Sequence, residues 1–290
     1  MSNNKMLVEE RSRDIDNFMV GRLLPFRRKR QVGPFTFIDH MGPSTIGPGR
    51  YMDVDQHPHI GLSTLTYLLE GEMEHRDSTG AVQLITPGAV GFMTAGYGVT
   101  HTERTPQHLR DGNTHPVHGY QVWVALPKEQ EDIAPNFAYL AANELPQWEE
   151  NGIRLTLVAG EGYGRRSPLP VYSPLFMIDA YSETTGTLDI KGQLSGEIAL
   201  VVVKGAVQTE DEAIAAGQML IAKTEDECCV DLQAGTRVLL FGGQAFPEER
   251  FLHWNFVSSS KEKLEQAKRD WAAREFPVVP EDNTYIPLPS

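Results

Sequence analysis

The chain has 290 residues, 40% hydrophobic and 22% charged, with a formal net charge of −13 at pH 7. That balance suits a soluble globular protein of one large or two ordinary domains. Its acidity argues against direct binding to nucleic acid, which rests on cationic contacts to phosphate, and is read as a solubility device. The two cysteines, Cys228 and Cys229, are adjacent and cannot build a disulfide framework, so they are read as idle thiols in a reducing, cytoplasmic compartment. The first sixteen residues, MSNNKMLVEERSRDID, lack the apolar core of a signal peptide. No stretch reaches the roughly 18 uninterrupted apolar residues that a membrane span requires.

In chain order, residues 1–20 are polar, and β structure begins at Val20–Pro25. Arg27-Arg28-Lys29-Arg30 reads as a solvated loop rather than an anion patch. Phe35–His40 is a strand ended by Met41-Gly42-Pro43, and a Gly/Pro/Ser-rich connection leads to His57-Pro58-His59. Ser63–Leu69, Val82–Ile85 and Val90–Met93 are short strands separated by Glu70-Gly71-Glu72 and Thr86-Pro87-Gly88. Gly96-Tyr97-Gly98 precedes His101-Thr102-Glu103, a polar loop follows over 104–116, and Tyr120–Leu126 is a strand closed by Pro127. Residues 128–150 read as an acidic linker, after which Ile153–Gly160, Phe176–Tyr181, Ile198–Val203 and Val238–Phe241 resume the β pattern. Ser258-Ser259-Ser260 offers an N-cap for an amphipathic helix over 261–275, with Leu264, Ala267, Trp271 and Ala272 at helical spacing and an extended tail beyond. Gly160-Glu161-Gly162-Tyr163-Gly164 lacks the strand–loop–helix setting and spacing of a nucleotide loop and is rejected as one.

The chemistry concentrates in two pairs. Side chains alternate faces along a strand, so His57 and His59 point one way from one strand, as do His101 and Glu103 from another. If those strands face each other, three imidazoles and a carboxylate converge on one mononuclear metal. Three nitrogens and one oxygen suit Fe, Ni, Cu, Mn or Zn, and the donor set does not choose among them. His75 is either a support for the ligands or a hairpin residue, and His40 is read as structural. His108, His115 and His118 belong to a solvated loop. Phe37, Met93 and Tyr97 are expected to wall a pocket.

An internal repeat divides the chain. Tyr67–Glu72 is echoed by Val201–Ala206, and Pro87-Gly88-Ala89-Val90 by Ala216-Gly217-Gln218-Met219. His57 and His59 lie 14 and 12 residues before Gly71, and the same offsets from Gly205 fall on Lys191 and Gln193. His101 lies 30 residues after Gly71, and that offset from Gly205 falls on Gly235. The pattern therefore predicts an all-β protein of two tandem barrels, with a metal in the first and none in the second.

His57-Pro58-His59-Ile60-Gly61, Thr64–Gly71, His75-Arg76-Asp77-Ser78, Met93–Gly96 and His101–Pro106, in that order, resemble the pirin family of the cupin superfamily. The likeness extends to Phe35–Pro43 and more weakly to Gly243–Ser258. It implies a bicupin, two tandem jelly-roll β-barrels with a short C-terminal helix. The expected domains are residues 1–135 (metal-binding), 150–257 (without metal) and 258–290 (helix and tail). The resemblance implies iron, Fe(II), held by His57, His59, His101 and Glu103, and a quercetin 2,3-dioxygenase activity on a flavonol-like aromatic and O2; Glu103, the candidate catalytic residue, either stays on the metal or leaves it to act as a base on a bound substrate hydroxyl. The alternative it implies is a non-catalytic, metal- and redox-sensing regulator of a protein partner. Ile60 and Ser63 depart from the arginine and glutamate common at these positions among relatives, which bears on substrate preference.

Overall fold

The computed structural model describes residues 5–15, 18–209, 212–225 and 228–289. Two compact units divide the chain, each assembled from separate stretches of sequence. One comprises Met1–Arg11, Arg22–Thr36 and Asn143–Phe246, the other Ser12–Gly21, Phe37–Ala142 and Pro247–Ser290.

The latter unit carries both histidine pairs. Its larger sheet runs in the order Asn136–Leu140, Val90–Thr94, Leu62–Glu70, His115–Ala125, Phe35–Ile46, Met19–Leu24, Arg11–Asp14. The smaller runs Asp53–His59, Val99–Arg104, Met73–Asp77, Val82–Ile85. This double sheet is a cupin jelly roll. Met73–Asp77 alternates buried and half-buried residues, as a strand with one interior face must. Phe18, Val20, Met41, Ile46, Met52, Leu68, Met73, Ile85 and Val117, each at most 3% exposed, fill one apolar cluster of its core. Helix α1 (Lys261–Ala272) starts where the Ser260 side chain accepts from the Lys263 N–H at 3.4 Å, and it buries Leu264, Ala267 and Trp271 against Ile60 and Phe256. It ends before the sequence pattern predicts. Among the described residues, no helix is long and apolar enough to cross a membrane.

The other unit repeats the plan. Its larger sheet is ordered Met6–Glu9, Gln218–Lys223, Glu197–Lys204, Thr236–Gly243, Leu175–Ser182, Ile153–Gly162, Gln147–Glu150, with Arg165–Arg166 beside Ile153–Gly162. Its smaller sheet is Gly186–Asp189, Cys229–Leu232, Ala206–Gln208, Ala213–Ala215. The repeat seen in sequence is a repeat of geometry. Gly71 and Gly205 both take left-handed φ, +82° and +79°. Gly88 donates to Leu68 O at 2.8 Å, and Gly217 to Val202 O at 2.9 Å, each acceptor three residues before its turn glycine. The interior of this barrel is apolar throughout its small sheet. Leu188, Val207, Ile214, Val230 and Leu232 are 0–1% exposed.

Three expectations are corrected. Residues 128–150 are not a linker, because Asn136–Leu140 pairs with Val90–Thr94 and Gln147–Glu150 with Ile153–Gly162. Every residue of Asn136–Leu140 is half-buried, so no alternation marks it in the sequence. The polar N-terminus also holds a strand, Met6–Glu9, which buries Val8 and pairs with Gln218–Lys223. The strand beginning at Phe35 continues through Gly42-Pro43 to Ile46.

Candidate metal centre

His57 and His101 stand directly opposite each other in the antiparallel ladder between Asp53–His59 and Val99–Arg104. Opposed residues share a face, and His59 joins them by the two-residue period. The ring centroids lie 4.2 Å (His57–His101), 5.0 Å (His59–His101) and 5.2 Å (His57–His59) apart. One ligand nitrogen from each ring falls within 4.8 Å of the others, and the three residues are 7%, 1% and 0% exposed. Past His101 the register slips. Glu103 pairs with Val54, so Thr102 opposes both Asp55 and Gln56 in a β-bulge on the strand that carries His57 and His59. Against Met73–Asp77 the pairing stays regular, with His101 opposite Asp77 and Glu103 opposite His75.

Hydrogen bonds fix two tautomers. A carbonyl only accepts, so His57 Nδ1–H donates to Asp55 O at 2.8 Å and His59 Nδ1–H to Asn255 O at 3.1 Å. Both rings then present an Nε2 lone pair inward. Burial depresses all three imidazoles, His57 to about 4 and the other two well below the usual range, so all are neutral donors at pH 7. His59 Nε2 and His101 Nε2 are 3.1 Å apart, and His101 Nδ1 is buried with no hydrogen-bond partner among the described residues. Two imidazoles bound to one ion at about 2.1 Å, at close to a right angle, would stand about 3 Å apart. The donor set therefore fits a transition-metal ion.

Glu103 is buried, 7% exposed, and its Oε1 accepts from Gln121 Nε2 at 2.8 Å. Gln121 Oε1 in turn accepts from Thr66 Oγ1 at 2.7 Å. Burial raises the Glu103 carboxyl to about 7, against the opposing effect of the Gln121 bond. The cluster that closes within 4.8 Å comprises the three imidazoles. His75 is buried and stacked on Phe137 at 4.3 Å, its Nε2 3.0 Å from Asp77 Oδ2. Burial pushes Asp77 up, but bonds from His75 and Thr79 outweigh it and hold the carboxyl below the usual range.

The remaining candidates sort by position. Phe37 stacks on Trp123 at 3.9 Å, and Trp123 meets the edge of His59 at 5.1 Å. Met93 packs with Val99 and Phe137. Tyr97 is 61% exposed and is no part of this interior, contrary to expectation. His40 Nε2 lies 2.8 Å from His118 Nε2, and its ring stacks on Tyr120. Of the three histidines expected in a solvated loop, His108 lies there and faces Glu72, whereas His115, which faces Asp111, and His118 belong to the strand His115–Ala125. Ser63 Oγ lies 3.0 Å from Thr94 Oγ1, fully buried in the sheet, and Ile60 joins the helix cluster. Sequence reasoning missed Gln121, Trp123 and the Asn255 carbonyl. Gln121 and Trp123 stood inside a strand read only as core, and Asn255 lies in a distant segment.

A two-barrel cupin with one imidazole-lined interior and one apolar interior is the class that fold and site define. The sequence matches the Pirin domain over residues 17–124 and the Pirin C-terminal cupin domain over residues 177–277. The chain belongs to the pirin family. It is 43% identical over 288 residues to a pirin-like protein of Caulobacter vibrioides, an alignment covering 98% of this chain and 99% of the relative. It is 40% identical over 253 residues to a Pseudomonas aeruginosa protein provisionally named quercetin 2,3-dioxygenase, covering 87% and 78%. The crystal structure of quercetin 2,3-dioxygenase from Acinetobacter baumannii superposes with a TM-score of 0.91 at 32% identity, covering 99% of this chain and 95% of that one.

Proposed function

We propose that the chain is a metal-dependent dioxygenase that opens the heterocycle of a flavonol, with His57, His59, His101 and Glu103 holding iron. The observation that carries this reading is the buried imidazole triad, with the tautomers of His57 and His59 set so that Nε2 points inward. The names of the Pseudomonas and Acinetobacter relatives support the substrate class.

Bound there, the ion would supply a Lewis acid for the substrate's oxygens and electronic coupling to O2. Gln121 fixes Glu103 Oε1, so Oε2 would either stay on the ion or, released from it, take the proton of the flavonol 3-hydroxyl. Trp123 and Phe37, stacked together, give an aromatic wall beside His59. The net reaction consumes one flavonol and one O2 and releases carbon monoxide with the opened ester.

Oxygen uptake and carbon monoxide release by iron-replete protein with quercetin test the proposal. Glu103→Ala should abolish turnover, and His57→Ala should also strip the metal. Equal turnover by Glu103→Ala and wild type would discard the mechanism. No uptake, together with metal-dependent capture of one protein partner, would favour the regulator.

A further inference from the structure

The segment 279–286 grips the outer side of the two strands that carry the proposed ligands. Val279 N–H donates to Gln56 Oε1 at 2.8 Å, and Gln56 Nε2 donates to the carbonyls of Asp282 (2.8 Å) and Thr284 (3.1 Å). Gln56 N–H donates to Thr284 Oγ1 at 3.1 Å, and Ile286 N–H donates to Gln56 O at 2.9 Å. On the neighbouring strand, Arg104 Nη2 donates to Asp282 Oδ2 (2.8 Å), Thr284 Oγ1 (3.0 Å) and Asp55 Oδ1 (3.0 Å). The segment is anchored in turn to helix α1. Trp271 Nε1 donates to Ile286 O at 2.9 Å, Tyr285 OH donates to Trp271 O at 3.0 Å, and the two rings stack at 4.6 Å.

The position of this grip is what gives it meaning. A β-bulge leaves the extra residue's backbone groups without ladder partners, and buried backbone groups must find them elsewhere. Gln56 is one of the two bulge residues, is 4% exposed, and has both its N–H and its C=O satisfied by the segment. The other bulge residue, Asp55, keeps its carbonyl for His57 Nδ1. Gln56 precedes His57, and Arg104 follows Glu103, so each held residue projects oppositely to a proposed ligand.

We infer that residues 279–286 are a positioning strap that fixes the bulge and thereby aims His57 and Glu103 at a bound cation. The inference rests on the metal-centre reading above. Coupling of this kind is reciprocal, so the ion must also hold the strap down.

The test uses Co(II) added to metal-free full-length protein. Affinity is read by competition with a chromophoric chelator, coordination by the visible d–d bands, and strap docking by hydrogen exchange. The double variant Asp282→Ala/Thr284→Val is expected to bind Co(II) about tenfold or more weakly with altered bands, the usual cost of losing groups that orient ligands. Removal of residues 278–290 should weaken binding further, and in wild type Co(II) should slow exchange across 279–286. Affinity and bands indistinguishable from wild type in the double variant overturn the strap alone. Wild type binding Co(II) no better than His57→Ala would overturn the metal centre itself, and the strap with it.

Discussion

Replacing Glu103 with glutamine isolates the energetic cost of a carboxylate kept in the barrel. Burial lifts this group from its ordinary 4.5 to about 7, so the folded metal-free chain holds the proton more tightly than the unfolded chain. A group raised in this way contributes stability that is full below about 4.5 and is lost as pH rises through about 7. The difference, 7 − 4.5 = 2.5 units, corresponds to about 3 kcal/mol at roughly 1.4 kcal/mol per unit. Glutamine has the same shape, keeps an oxygen for the Gln121 amide and carries no charge. Metal-free Glu103→Gln should therefore be about 3 kcal/mol more stable than wild type near pH 8, and equal to it below about pH 4.5. His57, held at about 4, acts in the opposite sense, adding stability above its unfolded 6.5 that is lost as pH falls through about 4. That contribution is common to both proteins and cancels in the difference. Urea unfolding across this pH range, followed by tryptophan fluorescence, measures it, and Trp123 beside His59 reports on this unit. A pH-independent difference, or a variant less stable than wild type near pH 8, would refute the reasoning. Added metal should reverse the order by stabilising wild type selectively.

Two further substitutions probe what holds the C-terminal arm. The Arg250 side chain is 1% exposed, donates through Nε and Nη2 to Leu126 O (3.2 and 3.1 Å), and lies 3.4 Å from Glu131 Oε1. Arg250→Met removes the buried partner of that carboxylate, and because Ser258 and Ser259 still bond it and Lys263 Nζ stays 3.9 Å from its Oε2, the cost should be at most about 3 kcal/mol, the low end for a broken buried pair, read in the urea midpoint. An unshifted midpoint would show that the pair is energetically idle. Gly61 has φ +66°, and a Cβ there would stand 2.0 Å from Val257 O. Gly61→Ala should cost at least about 1–2 kcal/mol in backbone strain and, by displacing the arm that carries Asn255, weaken metal binding. Metal affinity equal to wild type in Gly61→Ala would separate the arm from the site.

The two-residue period of His57/His59 made the triad legible, because alternation along a strand is strict and both residues lie on one side of the bulge. The repeat was legible for a similar reason. Gly71 and Gly205 occupy left-handed turns that few other residues accept, so the sequence cannot drift there. Illegible features were of two kinds. Asn136–Leu140 is half-buried at every position and carries no period to detect. Asn255, Asp282 and Thr284 reach His59, Gln56 and Arg104 across some 180 to 230 residues of chain, and no local pattern encodes such contacts. The bulge at Asp55–Gln56 belongs to the same kind, because it exists only as a mismatch between two strands.

Asn255, whose carbonyl fixes the His59 tautomer, is encoded after the whole second barrel. A nascent chain thus exposes its three imidazoles long before the group that orients one of them has been translated. Until then the Asn255 carbonyl does not hold the His59 tautomer. The last of the contacts that orient the three imidazoles can therefore form only after residue 255 has been made.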